Sequence, residues 1–234
     1  MDDKLKQVQL KLYEQLKDSG WGNKLKAFIL SEEFLNILRQ LAQNQLAGKR
    51  FTPTIKHLFR AFEQCPYENL KVVIVGQDPY PKEGVADGIA FSCKYAAHPS
   101  QIQPSLKAIY KGLENEGIQH MHYYDLADWA NQGILMLNTA LTTEIGYAGA
   151  HTSLWNQFII FLMDVLKSNT GLTYVFMGKT AQTYMQYVDA ENNYLLQCKH
   201  PASAAYTGGE WGSNGVFTKT SQIVKDNYKY DIKW

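Results

Sequence analysis

From residue 71 onward the chain alternates between short unbroken apolar runs and longer stretches in which apolar side chains return every third or fourth position. The runs are Val72-Val73-Ile74-Val75, Ile134-Leu135-Met136-Leu137, Thr173-Tyr174-Val175-Phe176 and Tyr194-Leu195-Leu196. Between them, Leu106, Ile109, Tyr110 and Leu113, then Trp155, Phe158, Ile159, Leu162 and Leu166, keep the period of one helix face, with Ser153 as the expected cap of the second. Near-continuous apolar strands alternating with helices predict a parallel sheet buried on both faces. The expected fold class is therefore α/β, a three-layer α/β/α arrangement around a central four-stranded parallel sheet. Upstream the pattern is helical. Ser31 precedes Glu32 and Glu33, and Phe34, Ile37, Leu38 and Leu41 recur at i, i+3, i+4 and i+7 before Gly48 stops the pattern.

No repeat, low-complexity tract or Pro/Gly/Ser-rich linker divides the 234 residues, so a single domain over 1–234 is expected. A chain of this length buries roughly 70–75% of the surface it exposes when unfolded and can hold an active site without staples. The three cysteines, Cys65, Cys93 and Cys198, are odd in number and form no C-x-x-C pair. That pattern indicates neither a disulfide framework nor a cysteine metal site, and it suits a reducing compartment. The N-terminus is charged and no run reaches the length of a membrane span, so the expectation is an intracellular, cytoplasmic protein, with monomer as the default oligomeric state. The net charge of +1 does not by itself announce a nucleic-acid partner, since DNA binding draws on lysine and arginine at phosphates. A local basic face remains compatible with it.

Ligands of open α/β sheets bind outside the carboxyl ends of the strands, so the polar residues just after each run are the first candidates. They are Gln77-Asp78-Pro79-Tyr80, Asn138, Gly178-Lys179 and Lys199-His200-Pro201. Each has a plainer role: Asp78 as a turn residue before proline, Asn138 as a turn or cap, His200 as a loop histidine. Their shared placement changes the weighting, together with Tyr80 and with Phe91 in Gly84-Val85-Ala86-Asp87-Gly88-Ile89-Ala90-Phe91-Ser92. An aromatic face, an amide with paired donor and acceptor, and an imidazole are the parts of a pyrimidine pocket.

The string Val73-Ile74-Val75-Gly76-Gln77-Asp78-Pro79-Tyr80, then Gly88-Ile89-Ala90-Phe91-Ser92, Leu135-Met136-Leu137-Asn138 and His200-Pro201 together resemble the family 1 uracil-DNA glycosylases. The resemblance runs from about the helix containing Phe34 nearly to the C-terminus, leaving residues 1–24 as an N-terminal helical extension. It implies a DNA repair enzyme that flips uracil out of single- or double-stranded DNA and hydrolyses its N-glycosidic bond, with no metal and no cofactor. It implies catalytic roles for Asp78 and His200, uracil contacts by Gln77, Tyr80, Phe91 and Asn138, and a phosphate-gripping loop at Ser105. From the residues alone, Ser105 is equally the N-cap of the helix beginning at Leu106. A DNA-mimicking inhibitor protein of the kind known for the family is a further implied partner.

The chain departs from the family after His200. Where Pro-Ser-Pro-Leu-Ser is usual it has Pro201-Ala202-Ser203-Ala204-Ala205-Tyr206, so Ala204 stands at the position of the leucine that wedges into the vacated base site. Ser203 alone offers a hydroxyl to phosphates, and Tyr206 is the substitute wedge unless flipping is less forceful here. Pro81 replaces a customary histidine. The stretch Gly208-Gly209-Glu210-Trp211-Gly212 is read as a backbone-hugging or mobile loop. Competing readings are a glycosylase of the same fold for another base, a non-catalytic DNA-binding module, and a metal hydrolase using His120-Met121-His122 with Asp125 and Asp128. The zinc signature of the cytidine deaminases is absent.

Overall fold

A computed structural model describes residues 2–96, 98–121, 124–204 and 210–234. Helices α1 (Asp2–Gln15), α2 (Trp21–Ile29) and α3 (Glu32–Leu46) open the chain, followed by strand β1 (Phe51–Thr52) and the short α4 (Arg60–Gln64). The remainder is β2 (Val72–Gly76), α5 (Pro104–Asn115), α6 (Ala127–Asn131), β3 (Ile134–Asn138), β4 (Thr143–Glu144), α7 (Thr152–Leu166), β5 (Thr173–Met177), α8 (Lys179–Gln182), β6 (Tyr194–Cys198) and α9 (Val216–Tyr228).

All four expected strands form, in the order β3-β2-β5-β6 and all parallel. The register sets Gly76 opposite Asn138 and Met177 opposite Cys198, so the strands end level and the residues that follow emerge on one rim. The chain moves outward from β2 to β3 and then crosses back past β2 to β5. Right-handed crossovers therefore place the helices between those strands on opposite faces, which makes three layers. The two inner strands are β2 and β5, and all five residues of each are buried. The free edge of β3 is not left open, because the Ala90 N–H donates to Met136 O at 3.0 Å.

Local chemistry explains most boundaries. Ser31 caps α3, its Oγ accepting from Phe34 N at 3.2 Å, and Gly48 follows the helix with φ +81°. Two caps differ from expectation. Helix α5 starts at Pro104 with Gln103 in the N-cap position, so Ser105 lies inside the first turn and is buried; proline's fixed φ suits the first helical residue and carries the helix past the serine. Helix α7 likewise starts at Thr152 with His151 before it, so Ser153 is not its cap. Several elements were not foreseen, among them the short α8. Strands β1 and β4 pair antiparallel, and α9 packs Val216, Phe217 and Val224 against the sheet. The N-terminal helices share the one hydrophobic core, with Leu12, Leu16, Trp21 and Leu25 buried in it.

Candidate active site

Beyond the carboxyl ends of the strands lies a cavity of about 420 Å³, within the roughly 300–1,000 Å³ of typical ligand pockets. Its wall includes Gln77, Asp78, Tyr80, Phe91, Asn138 and His200, and Ser105 and Ala202 also border it. Residues from opposite ends of the chain thus face one slot.

Two glycines at the strand ends let the side chains of the cavity wall sit close against the sheet. A Cβ on Gly76 would stand 2.8 Å from Asn138 Oδ1 and 2.9 Å from Phe91 Cζ. Only the missing side chain lets amide and ring approach the end of β2 together. Gly178, with φ +99°, does the same at the end of β5, where a Cβ would stand 2.8 Å from His200 Cβ. Phe91 itself has φ +65°, a left-handed conformation that costs a bulky residue about 1–3 kcal/mol and that clusters at functional sites. Its carbonyl accepts from the Tyr80 hydroxyl at 2.9 Å, which fixes the Tyr80 ring beside the cavity. Burial pushes the Tyr80 hydroxyl well above its ordinary pKa, so it remains a donor.

Asp78 is half-buried. Its Oδ2 accepts from the Gly149 N–H, in the loop that leads into α7. Burial raises its pKa above the ordinary carboxylate range, partly offset by the Gly149 N–H and the Thr143 hydroxyl. The backbone carbonyl of Gln77 is tied to the loop after β3 by Thr139 Oγ1 at 2.7 Å and Ala140 N at 3.0 Å. The turns that carry Asp78 and Asn138 are therefore laced together.

His200 is held in one tautomer. The Ala202 N–H donates to Nδ1 at 3.1 Å, so in the neutral ring the proton sits on Nε2. Burial lowers the imidazole pKa, which favours that neutral form. Its ring stands 5.9 Å from Phe91, centroid to centroid. One cavity is therefore lined by both the Asp78 carboxyl group and an imidazole whose neutral form carries its proton on Nε2.

Residues 62–223 match the profile of the Uracil DNA glycosylase superfamily. The chain belongs to that superfamily. Among curated relatives it is 34% identical to the uracil-DNA glycosylase of Acinetobacter baumannii over 236 residues, spanning 99% of this chain and 95% of that protein. With the uracil-DNA glycosylase of Bacillus licheniformis it shares 31% over 224 residues, 94% of this chain and 97% of that one. The crystal structure of mimivirus uracil-DNA glycosylase superposes with a TM-score of 0.81 at 27% identity, covering 94% of this chain and 88% of that one. A mimivirus UNG variant in complex with UGI gives 0.82 at 26%, covering 94% and 90%.

The match to the Acinetobacter glycosylase extends further than the motifs suggested, since at 99% coverage it takes in the first two dozen residues as well. Ser203 and Ala204 stand in the turn after His200, where the Ser203 N–H donates to His200 O at 2.9 Å, but neither borders the cavity. Tyr206, Gly208 and Gly209 lie outside the described residues, as does His122. Trp211 is packed, not mobile: it is buried and its Nε1–H donates to Lys199 O at 2.8 Å.

Of the residues in the metal reading, His122 lies outside the described residues and two others are engaged elsewhere. Asp125 grips Arg60 and accepts the Ala127 N–H, and the His120 ring is stacked on Tyr110 with centroids 5.0 Å apart. Among the described residues no three His, Cys, Asp or Glu side chains group as a ligand set, and no helix is long and apolar enough to cross a membrane. Two contributors escaped sequence reasoning, the backbone N–H groups of Gly149 and Ala202. Neither left a trace in the sequence, and the φ of +77° at Gly149 is visible only in the fold.

Proposed function

We propose that this chain is a family 1 uracil-DNA glycosylase, which swings uracil out of DNA, hydrolyses the bond between the base and its deoxyribose, and leaves an abasic site. The observation that carries the reading is the cavity shared by Asp78 and His200, with Phe91 and Asn138 at its wall. Extruding the base costs a few kcal/mol of unstacking, which the pocket offsets. Phe91 stacks on the flipped ring. Asn138 gives its NH₂ to O4 and accepts the N3 hydrogen, and Gln77 lines the same turn. Bond cleavage leaves negative charge on the base and positive charge on the sugar. His200 donates from Nε2 to O2 of the departing uracil anion, and ionised Asp78 favours the oxocarbenium-like sugar and orients the attacking water. Ser105 and Ser203 contact DNA phosphates.

Specificity follows from what each wrong base lacks or adds. Cytosine offers an amine at position 4 and a bare N3, leaving both ends of the Asn138 amide unmatched, a mismatch worth about 10⁴–10⁵ in discrimination. Thymine makes the same hydrogen bonds and adds a methyl, so it must be refused by a wall, which is the Tyr80 ring anchored through Phe91 O. Asn138→Asp is expected to release cytosine and Tyr80→Ala thymine, each scored as free base from defined oligonucleotides. If neither variant acquires its new substrate, this pocket assignment is wrong.

Ala204 is too small to fill a base-sized gap, and we assign that task to Tyr206. Tyr206→Ala is then expected to lose far more activity on duplex than on single-stranded uracil DNA, and an unchanged ratio removes Tyr206 from the role. A DNA-mimicking inhibitor protein is a second partner on this reading, supported by the mimivirus UNG variant's complex with UGI. The function itself is tested by uracil release from a single-uracil oligonucleotide in EDTA. Release with an abasic product supports it, and no release from any uracil DNA overturns it.

A further inference from the structure

Phe91 sits in an unfavourable backbone conformation on a loop, and something must hold it there. Four contacts converge on Asp87, which is fully buried. Its Oδ1 accepts from Ile89 N at 3.1 Å, and its Oδ2 accepts from Ser92 Oγ at 2.6 Å and Lys94 N at 2.8 Å. Arg60 Nη1 approaches Oδ1 at 2.9 Å. The carboxylate thus ties together residues on both sides of Phe91, like a peg through a loop.

The peg is itself anchored. Arg60 is buried, comes from α4, and its Nη2 donates to both oxygens of Asp125 at 2.8 and 2.6 Å. Asp125 in turn receives the Ala127 N–H at the start of α6, and Ser92 Oγ accepts from Leu126 N at 3.1 Å. Helix α6 leads directly into β3, which ends in Asn138. The guanidinium lies between two carboxylates, hydrogen-bonded to Asp125 through Nη2 and paired by charge alone with Asp87 through Nη1. Gly88 completes the turn: with φ +94°, it lies so close to α4's approach that a Cβ would fall 2.0 Å from His57 O.

We propose that Arg60 and Asp87 are positioning residues for uracil recognition, acting through Phe91 and holding its ring in stacking distance of the base that Asn138 reads. The inference rests on the functional reading above. None of Arg60, Asp87 and Asp125 touches the base on this account. A buried ion pair is weak evidence for stability, since desolvation of both charges opposes their attraction, and so a role in specifying one loop conformation fits it better. A ring free to leave that conformation would stack on the base only part of the time.

The test is a double-mutant cycle with Phe91→Ala, using single-turnover uracil release from a single-stranded oligonucleotide well below the melting temperature of each variant. Asp87→Asn places N–H groups where Ser92 and Lys94 now donate, and Ser92→Ala removes the same link without touching a charge, so it serves if the first variant folds poorly. In the wild-type background each is expected to slow release, Asp87→Asn by about 10-fold or more, as small misplacements of positioning groups do. In the Phe91→Ala background the same changes are expected to cost less than about 3-fold, because coupled residues are non-additive. Equal losses in both backgrounds, or no loss in the first, overturn the proposal. Failure of the wild-type chain to release uracil in this assay would instead sink the functional reading beneath it.

Discussion

Replacing Asp78 with asparagine is expected to slow uracil release by about 10²–10³-fold, the usual cost of removing one preorganised electrostatic group from a reacting centre, while leaving the protein as stable as before or more so. The two halves of that expectation have one cause. The Asp78 carboxyl is raised above its ordinary range mainly by burial, so the folded state holds its proton more tightly than the unfolded chain does. Such a group contributes stability below its unfolded pKa, and that contribution is lost as pH rises through the folded value. At neutral pH the ionised carboxylate is therefore a burden on the fold, which on the proposed reading is kept for its action on the sugar. Asparagine carries no charge to desolvate and can still offer an oxygen to the Gly149 N–H, so its melting temperature at pH 7 should match or exceed the wild type. Uracil DNA should still bind. An active variant would remove Asp78 from the chemistry, and a loss of activity paralleled by a drop of several degrees in melting temperature would mean only that the loop had collapsed.

The same electrostatics separate what was legible in the residues from what was not. The four sheet strands stood out because a strand buried on both faces must be apolar throughout, and such runs are hard to produce by chance in a chain with 19% charged residues. The rim followed from them, since a level parallel sheet brings the next polar residues to one edge. Strands β1 and β4 were invisible because two residues carry no period. The start of α5 was misplaced because serine and proline both mark helix beginnings and proline acted one residue earlier. Backbone donors are the deeper gap. The Gly149 and Ala202 N–H groups orient the acid and the imidazole, yet every residue except proline owns an N–H, so only the fold reveals which ones converge. The peg at Asp87 was hidden for a related reason: within Gly84-Val85-Ala86-Asp87-Gly88 it looks like a turn aspartate, and its partner Arg60 lies in a different element.

Exchanging His200 for leucine is expected to lower the rate of release by about 10²–10³-fold at neutral pH and to change the shape of the acid limb. On the proposed reading, two groups of the wild type must be in the right state. His200 must be neutral, and burial pushes its pKa below the ordinary imidazole range; Asp78 must be ionised, and burial raises its pKa above the ordinary carboxylate range. Both protonations disable the reaction as pH falls, so once the pH lies below both pKa values the logarithm of the rate should decline with a slope approaching two. Leucine at position 200 removes one titration and leaves a slope of one, set by Asp78. The stability sign runs opposite to that of the acid. A depressed imidazole pKa contributes stability above its unfolded value, lost as pH falls through the folded one, because protonation adds a buried charge and sets an N–H against the Ala202 donor. The leucine variant should accordingly lose less melting temperature between pH 7 and acid than the wild type does. An acid limb that keeps its slope in the variant would show that the imidazole never titrated in the working range and that the uracil anion is stabilised by some other donor.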